Sequence, residues 1–129
     1  AATGEVVWRT NRYKVRETVG LSVDESMVFS KCMWDTVIAV DAKSKKFEPI
    51  WASHVGFGYE HNPCMLVERD GVVMVGTRNG LLYGLNKQDG SVLWCHKIGN
   101  SILNTVCPID GSNCIVTSSE GTVTRIHVD

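Results

Sequence analysis

Two histidines and a glutamate lie close together in a glycine-rich stretch, and these residue types can ligate a metal ion. His54 and His61 are seven positions apart in the segment HVGFGYEH, where Glu60 precedes the second histidine. Zinc sites use imidazole and carboxylate ligands of this kind. The spacing, however, fixes no third strong ligand. His54 and His61 are therefore metal candidates, and the interpretation that we favour is a solvated connection between strands with no metal site.

The five cysteines could in principle serve redox or metal chemistry, but their spacing favours neither. The chain contains no Cys-x-x-Cys pair and no two adjacent cysteines. Most of the five lie in apolar runs, where cysteine packs as a small hydrophobic residue. We interpret them as structural residues; they are Cys32, Cys64, Cys95, Cys107 and Cys114.

Other catalytic and cofactor-binding patterns are missing from the sequence. No Gly-x-Ser-x-Gly nucleophile elbow occurs. Gly56-x-Gly58 lacks the third glycine of a dinucleotide fingerprint and has no βαβ context. His96 and His127 are expected to be hydrogen-bonded or exposed, with His127 in a turn. We therefore predict no catalytic residue, no cofactor-binding residue and no cofactor.

The charge of the chain is balanced, which narrows the classes of partner. The formal net charge is −1 over 129 residues, so no nucleic-acid or anionic-membrane binding is expected. The longest apolar runs have the length of a strand and are too short to insert into a bilayer. Basic residues cluster in 9–16 and 43–46. Both clusters fall in predicted connections and are interpreted as solvated loops, with an acidic partner as the alternative.

An internal repeat of about 43 residues organises the sequence. Three segments align: SMVFSKCMWDTVIAVD from Ser26, GVVMVGTRNGLLYGLN from Gly71, and SNCIVTSSEGTVTRIH from Ser112. Four columns are apolar in all three rows, and a fifth holds turn residues. The apolar columns are Val28/Val73/Cys114, Phe29/Met74/Ile115, Val37/Leu82/Val123 and Val40/Leu85/Ile126, and the turn column is Asp35/Gly80/Gly121.

Each repeat is expected to form one four-stranded antiparallel sheet. In the middle unit, short apolar runs are separated by Asp-Gly and Asn-Gly dipeptides, which favour hairpin turns. Runs such as VVMV are apolar on both faces, so both faces should be covered. Four strands in about 43 residues, stacked face to face, predict an all-β protein of β-propeller blades. The predicted strands of this unit are 63–69, 71–77, 81–86 and 91–97.

Three of the four tryptophans follow the same period. Trp8, Trp51 and Trp94 are 43 residues apart, each on the predicted outer strand of a blade. A ring at this position can fill the gap where neighbouring sheets splay apart, with a hydrophobic contribution of at most roughly 5 kcal/mol. Gly90 forms the turn that precedes Trp94, and we expect it to set the depth of the ring. These four residues are the predicted structural signature of the repeat.

The run Gly84-x-Asn86-x-x-Asp89-Gly90-x-x-x-Trp94 resembles the tryptophan-docking motif of pyrroloquinoline-quinone-like (PQQ-like) propeller repeats, Ala-x-Asp-x-x-Thr-Gly-x-x-x-Trp. The N-terminal Thr3 to Trp8 is similar to its second half, and Ala39-x-Asp41 to its first half. The third unit departs from the pattern, because Arg125 and His127 replace the small and acidic residues. The resemblance covers nearly the whole chain.

The repeat and the resemblance together divide the single domain, 1–129, into about three blade-equivalents. Residues 1–10 match the outer strand of a preceding or shared blade, 15–54 and 63–97 form complete blades, and 102–129 form a blade without its outer strand. Because propellers close with about four to eight blades, the chain is expected to be a partial propeller, the C-terminal part of a larger protein. The alternative is half of a homodimer that shares strands and completes a six-bladed ring.

The resemblance implies a noncatalytic binding or scaffold module, accessory to another domain. The expected partner of the module is a protein or glycan at one propeller rim. The resemblance also favours a location in the bacterial periplasm or cell envelope. Two alternatives stay open: a fragment of a quinone-dependent dehydrogenase, and a metal-binding module at His54 and His61. Quinone enzymes of this fold generally use bound calcium, an adjacent cysteine pair and a catalytic aspartate. No adjacent cysteines occur here.

Overall fold

The computed structural model of the chain describes residues 4–33, 35–56, 64 and 66–128. Every regular element in these residues is a β-strand, which confirms the predicted all-β class. In chain order the strands are β1 Val15–Leu21, β2 Met27–Cys32, β3 Thr36–Asp41, β4 Pro49–His54, β5 Val67–Arg69, β6 Val72–Gly76, β7 Leu81–Asn86, β8 Val92–Lys97, β9 Leu103–Asp110, β10 Asn113–Ser118 and β11 Val123–His127. No described segment is a helix able to span a bilayer.

The strands form three antiparallel sheets in which neighbours along the chain are neighbours in space. The first sheet has the order β1-β2-β3-β4, the second β5-β6-β7-β8, and the third β9-β10-β11. The turn column of the repeat explains this regularity. Asp35, Gly80 and Gly121 all have positive φ, between 63° and 88°. Tight hairpin turns need that backbone conformation, and glycine and aspartate adopt it most readily.

The middle sheet agrees with the predicted strands except at its first strand. β6, β7 and β8 begin and end within one residue of the predictions. β5 is described from Val67 to Arg69, with Cys64 and Leu66 outside it, and residues 63 and 65 of the predicted strand lie outside the described residues. Leu66 is buried before the strand starts, and its backbone lies so close to Gly20 of β1 that a Cβ on Gly20 would overlap it. Leu66 thus contacts the first sheet.

Two other local predictions concern His127 and the N-terminal residues. His127 was expected in a turn, and this is wrong: it is the last residue of β11 and lies opposite Asn113. The aligned residues Asp41 and Asn86 likewise end β3 and β7, so this column belongs to the strand and the turn begins after it. Residues 4–10, expected as an outer strand, pair with no described strand of the chain.

Two of the three clusters of buried apolar side chains lie between adjacent sheets. The third cluster, Cys32, Ile38 and Val40, belongs to the first sheet and packs against Tyr13 and Phe47. Phe29, Val37, Val73 and Leu85 belong to the layer between the first and second sheets. The second layer lies between the second and third sheets and contains Met74, Leu82, Cys114, Val116 and Ile126. Val73 and Met74 are adjacent on β6 and fully buried on opposite faces, because successive strand residues point to opposite sides. The prediction that VVMV is covered on both faces is confirmed.

Candidate binding rim

The indole of Trp51 joins the first sheet to the second. Its Nε1 donates a hydrogen bond of 2.8 Å to the main-chain carbonyl of Lys87, and its ring stacks on Phe29 with centroids 6.1 Å apart. A Cβ added to Gly90 would overlap the Trp51 ring. Gly90 therefore receives the tryptophan of the preceding sheet, whereas the sequence had related it to Trp94 of its own sheet.

Trp94 shows why a small residue recurs in the repeat. Gly84 lies directly opposite Trp94 across the β7–β8 ladder, as Ala39 lies opposite Trp51. A Cβ on Gly84 would overlap the Trp94 ring, so the indole lies flat over the bare backbone. The half-buried Trp94 packs against the core layer between the second and third sheets. The small-residue column was visible in the sequence, but its pairing with tryptophan needed the strand register.

Trp8 occupies the corresponding position on the first sheet. Its ring contacts the Phe47 ring edge-to-face, with centroids 5.2 Å apart. Phe47 lies in the β3–β4 connection of the first sheet, just as Lys87 and Gly90, which contact Trp51, lie in the β7–β8 connection of the second. Trp8 is 41% exposed, against 9% for Trp51. Trp8 and Trp51 thus each contact the connection between two strands of the next sheet, and Trp8 is the least covered of the three predicted tryptophans.

A charged cluster that the sequence analysis missed also joins the first two sheets. Lys87 Nζ lies 3.1 Å from Asp24 Oδ2 and 3.3 Å from Glu68 Oε1. Glu68 also accepts a hydrogen bond from the main-chain nitrogen of Val23. Hydrogen bonds from Ser22, Ser26 and Lys87 hold the pKa of Asp24 well below its ordinary value. In the sequence Glu68 follows Asp24 by 44 positions and Lys87 follows Glu68 by 19, so no local sequence pattern predicts the cluster.

His54 lies at the end of β4 and is hydrogen-bonded through one ring nitrogen. Its Nδ1 is 3.0 Å from Thr36 Oγ1 and 3.3 Å from Asp35 Oδ1. When Nδ1 carries the proton it donates to these oxygens, and Nε2 of the exposed ring faces solvent. His61 lies outside the described residues, so the structure does not test the pair. In the part of the chain that is described, no three His, Cys, Asp or Glu residues are grouped as metal ligands.

The adjacent cysteine pair of a quinone site does not occur in this sequence. The resemblance implies a ring closed by two such adjacent cysteines. None of the five cysteines, all of which the structure describes, is in a disulfide; Cys95 and Cys107 are exposed, and the other three are buried. Burial raises the pKa of the Cys32 thiol to about 11 and also raises that of Cys114.

One end of the three sheets carries a cleft. We call this end the upper rim: it comprises the β2–β3, β6–β7 and β10–β11 turns with the segment before β1 and the ends of β4 and β8. The cleft has a volume of about 310 Å³, and its lining residues are Arg12, Tyr13, Lys14, Cys32, Met33, Thr36, Ala52 and His54. The Arg12 guanidinium lies over the Tyr13 ring, 5.0 Å from its centroid. This stacking holds a cation at the mouth of the cleft.

The two ends of the sheets differ in charge. Among the described residues, the upper rim has four basic and two acidic side chains that are at least partly exposed: Arg12, Lys14, Arg78 and Lys97 against Asp35 and Glu120. Lys31 also lies near this end, but it is buried and its Nζ donates a hydrogen bond to the main-chain carbonyl of Gly76. The lower rim comprises the other hairpin turns, where acidic residues outnumber basic ones by eight to five: Asp24, Glu25, Asp41, Glu48, Glu68, Asp70, Asp89 and Asp110 against Lys43, Lys45, Lys46, Arg69 and Lys87. The two basic clusters of the sequence therefore lie at opposite ends. The upper rim can attract an acidic surface.

Comparison with known proteins adds a family and a fold. A family model described as outer membrane protein assembly factor BamB, a family of PQQ-like repeats, matches residues 1–129. This match confirms the resemblance seen in the tryptophan motif. No curated protein sequence matches the chain significantly.

Solved structures share the fold at low sequence identity. BamB from Moraxella catarrhalis superposes with a TM-score of 0.69 at 17% identity, over 85% of this chain and 32% of that one. U3-55K gives 0.73 at 14%, over 94% and 40%, and the computationally designed Ika8 protein gives 0.68 at 16%, over 84% and 32%. These similarities confirm the predicted propeller fold. The chain spans between about a third and two fifths of the structures that it matches.

Proposed function

The chain belongs to the PQQ-like repeat family whose model is described as outer membrane protein assembly factor BamB, and on that premise we propose that it is a noncatalytic propeller module that binds a protein partner. An assembly factor acts by holding other proteins, and stacked blades offer a rigid surface for that purpose. We further propose that the module is the C-terminal part of a larger protein, accessory to its other parts, in the bacterial cell envelope. The chain spans only about a third to two fifths of its structural neighbours, and this supports the proposal that it is part of a larger protein.

The observation that carries the proposal is the concentration of positive charge on the upper rim. Arg12 and Lys14 lie beside a cleft with half-exposed Tyr13, and no described carboxylate lies within ion-pair distance of either cation. Arginine and tyrosine are enriched where protein interfaces gain most of their binding energy. A partner with an acidic surface would meet complementary charge at this rim.

The proposal is tested by charge reversal at the two rims. The chain is immobilised, proteins are captured from a bacterial envelope extract, and the affinity of each captured protein for the purified chain is measured. Arg12→Glu with Lys14→Glu should weaken binding about tenfold or more at low salt, because like charges then face each other. The matched control is Lys43→Glu with Lys45→Glu on the lower rim, which should change affinity less than about twofold.

Three results would contradict the proposal. Equal losses of affinity in both double variants would show that the upper rim is not the binding surface. Unchanged affinity in the upper-rim variant would do the same. Binding of an envelope glycan with no protein partner would favour the glycan alternative. Each variant changes exposed residues, so far-ultraviolet circular dichroism should confirm that the sheets are retained.

A further inference from the structure

The turn before β1 holds two cations in a fixed place. The main-chain nitrogen of Lys14 donates a hydrogen bond of 3.3 Å to the carbonyl of Asn11, which closes a turn with Arg12 and Tyr13 at its centre. The main-chain nitrogen of Met33 donates in turn to the carbonyl of Lys14, also at 3.3 Å. These bonds tie the turn to the β2–β3 hairpin, so the positions at which the Arg12 and Lys14 side chains leave the backbone are set before any partner binds.

Tyr13 anchors the same turn to the first sheet. Its half-buried side chain packs against the cluster of Cys32, Ile38 and Val40, and its ring lies 6.1 Å from the Phe47 ring. The Arg12 guanidinium lies over the Tyr13 ring, 5.0 Å from its centroid. This contact limits the orientations of the arginine side chain, so less conformational freedom is lost when the guanidinium binds an anion.

Lys14 adopts a backbone conformation that a lysine side chain disfavours. Its φ of 52° lies in the left-handed region, which glycine and asparagine enter at less cost. Strained residues of this kind are concentrated at binding and catalytic sites. A glycine would fit this turn at least as well, so local stability does not explain why a lysine stands there.

The two cations line a small cleft that also offers apolar contacts. Its volume of about 310 Å³ is at the lower end of the range of about 300–1,000 Å³ that is usual for ligand sites. Met33 and Ala52 contribute apolar atoms to its lining. Asp35, at the same end of the sheet, is hydrogen-bonded to His54, and neither Arg12 nor Lys14 forms an ion pair with a described side chain. The cleft therefore combines two uncompensated positive charges with an apolar surface.

We propose that this cleft receives the carboxylate side chain of an extended acidic peptide segment. The Arg12 guanidinium and the Lys14 Nζ donate charge-assisted hydrogen bonds to the carboxylate oxygens, and Met33 contacts the apolar part of the segment. A loop or an extended segment suits the site because a side chain that protrudes can enter a cleft of this volume, whereas a flat surface cannot. The inference rests on the proposed function and names the chemistry of the partner at the upper rim.

The first test measures fluorescence polarisation with a labelled peptide of sequence GSEELESG whose C-terminus is amidated. It should bind about tenfold or more tightly than GSQQLQSG, which keeps the length and the apolar residue but has no carboxylate. Arg12→Gln should weaken binding of the acidic peptide about tenfold. Lys97→Gln is the matched control, because Lys97 is an exposed cation of the same rim that does not line the cleft, and it should change the affinity less than about twofold. Equal binding of the two peptides, or equal losses in the two variants, would overturn the proposal.

Lys14→Gly tests the second cation without disturbing the turn. Glycine accepts the positive φ of this position and removes the charge. The variant should bind the acidic peptide about threefold or more weakly, while the urea midpoint of unfolding should not fall. Unchanged affinity in this variant would remove Lys14 from the site.

Carbodiimide cross-linking locates the bound carboxylate. An activated glutamate of the peptide forms an amide bond with a lysine amine in direct contact, and peptide mass spectrometry should find the product on Lys14. Cross-linking mainly at Lys97, or at Lys43 and Lys45 of the lower rim, would contradict the proposal. Competition by inorganic phosphate or glutarate that equals the unlabelled peptide at the same concentration and ionic strength would also contradict it, because the cleft would then bind any small anion.

These outcomes can be told apart from those of the rim experiment. If a captured envelope protein loses affinity on charge reversal at the upper rim but the acidic peptide does not bind, the rim function stands and the peptide site is wrong. If the peptide binds at Lys14 and no captured protein depends on the upper rim, the peptide site stands and the proposed function fails.

Discussion

At the scale of single residues, each large indole ring of the repeat packs over a residue with no side chain or a very small one. Trp51 lies over Gly90 in the neighbouring sheet and opposite Ala39 in its own. The 43-residue period revealed the tryptophans and the glycine as one set. It could not reveal which glycine receives which ring, because a period fixes spacing along the chain and leaves the direction of contact between sheets open.

Replacing Gly90 by alanine should separate two costs of a side chain at this position. Gly90 has φ of 76°, and the new Cβ would also overlap the Trp51 ring. Gly121 has φ of 88° but open space around it, so Gly121→Ala carries the backbone cost alone, about 1 kcal/mol. Gly90→Ala should lower the free energy of unfolding by a further 1–3 kcal/mol or so, as measured by urea denaturation.

That prediction fails if the two variants lose equal stability. A red shift of the tryptophan emission in Gly90→Ala, absent in Gly121→Ala, would show directly that the indole has been displaced into a more polar environment.

The five thiols should divide into two reactive and three protected groups. Cys95 and Cys107 are exposed, whereas Cys32, Cys64 and Cys114 are buried, and burial raises the pKa of Cys32 and Cys114. Since the thiolate is the reactive form, a maleimide added to the folded chain at neutral pH should label two cysteines quickly. Peptide mass spectrometry identifies them, and labelling in denaturant gives the total of five. Rapid labelling of Cys32 in the folded chain would contradict the described packing.

At the scale of elements, the sheets are held in register by turns and joined by charges. The turn column Asp35, Gly80 and Gly121 was read from the sequence, and its positive φ values explain why three hairpins repeat. The cluster of Asp24, Glu68 and Lys87 was not predicted, because its members meet only after two sheets have packed together. Local chemistry therefore predicts strands and turns well, and predicts contacts between sheets poorly.

The charged cluster should make stability depend on pH at the acid end. The pKa of Asp24 is lowered in the folded chain, so its contribution is present above the unfolded value of about 4 and is lost as the pH falls below it. Burial disfavours the charge on Lys87, but hydrogen bonds to Asp24 and Glu68 outweigh this and raise its pKa. That contribution is present below about pH 10 and is lost as the pH rises through the folded value.

A double-mutant cycle measures this effect. Asp24→Asn should lower the urea midpoint at pH 7, and the difference from the unmodified chain should shrink as the pH falls from about 4 towards 2. In a Lys87→Gln background the same substitution should cost less, because part of the interaction is already removed. A cost that does not change with pH would show that Asp24 acts only through neutral hydrogen bonds.

At the scale of the whole molecule, the sequence predicted the architecture but not the polarity of its ends. Four apolar columns were enough to predict stacked four-stranded sheets, since each column reports one face of one strand. The basic residues 9–16 and 43–46 looked equivalent in the sequence, as two charged loops. Only the order of the strands shows that Lys14 and Lys45 lie at opposite rims, and this separation is what suggests a binding surface.

If the upper rim steers an acidic partner, association should be sensitive to salt. Raising ionic strength from about 0.05 to 0.5 M should lower the association rate constant about tenfold and change the dissociation rate much less. Stopped-flow or surface-based kinetics with the captured protein would measure both rates. The Lys43→Glu, Lys45→Glu variant should keep the same salt dependence, and a salt effect confined to dissociation would argue against steering by the rim.

The acceptor for the Trp51 indole is the peptide carbonyl of Lys87, an atom that every amino acid possesses. Attachment through that atom does not read the identity of the side chain at the receiving loop; it requires only an empty place for the ring at Gly90. The sequences of such loops can therefore diverge while the blades stay connected. Blades could also be duplicated or exchanged in a gene without any new side-chain contact between neighbouring blades.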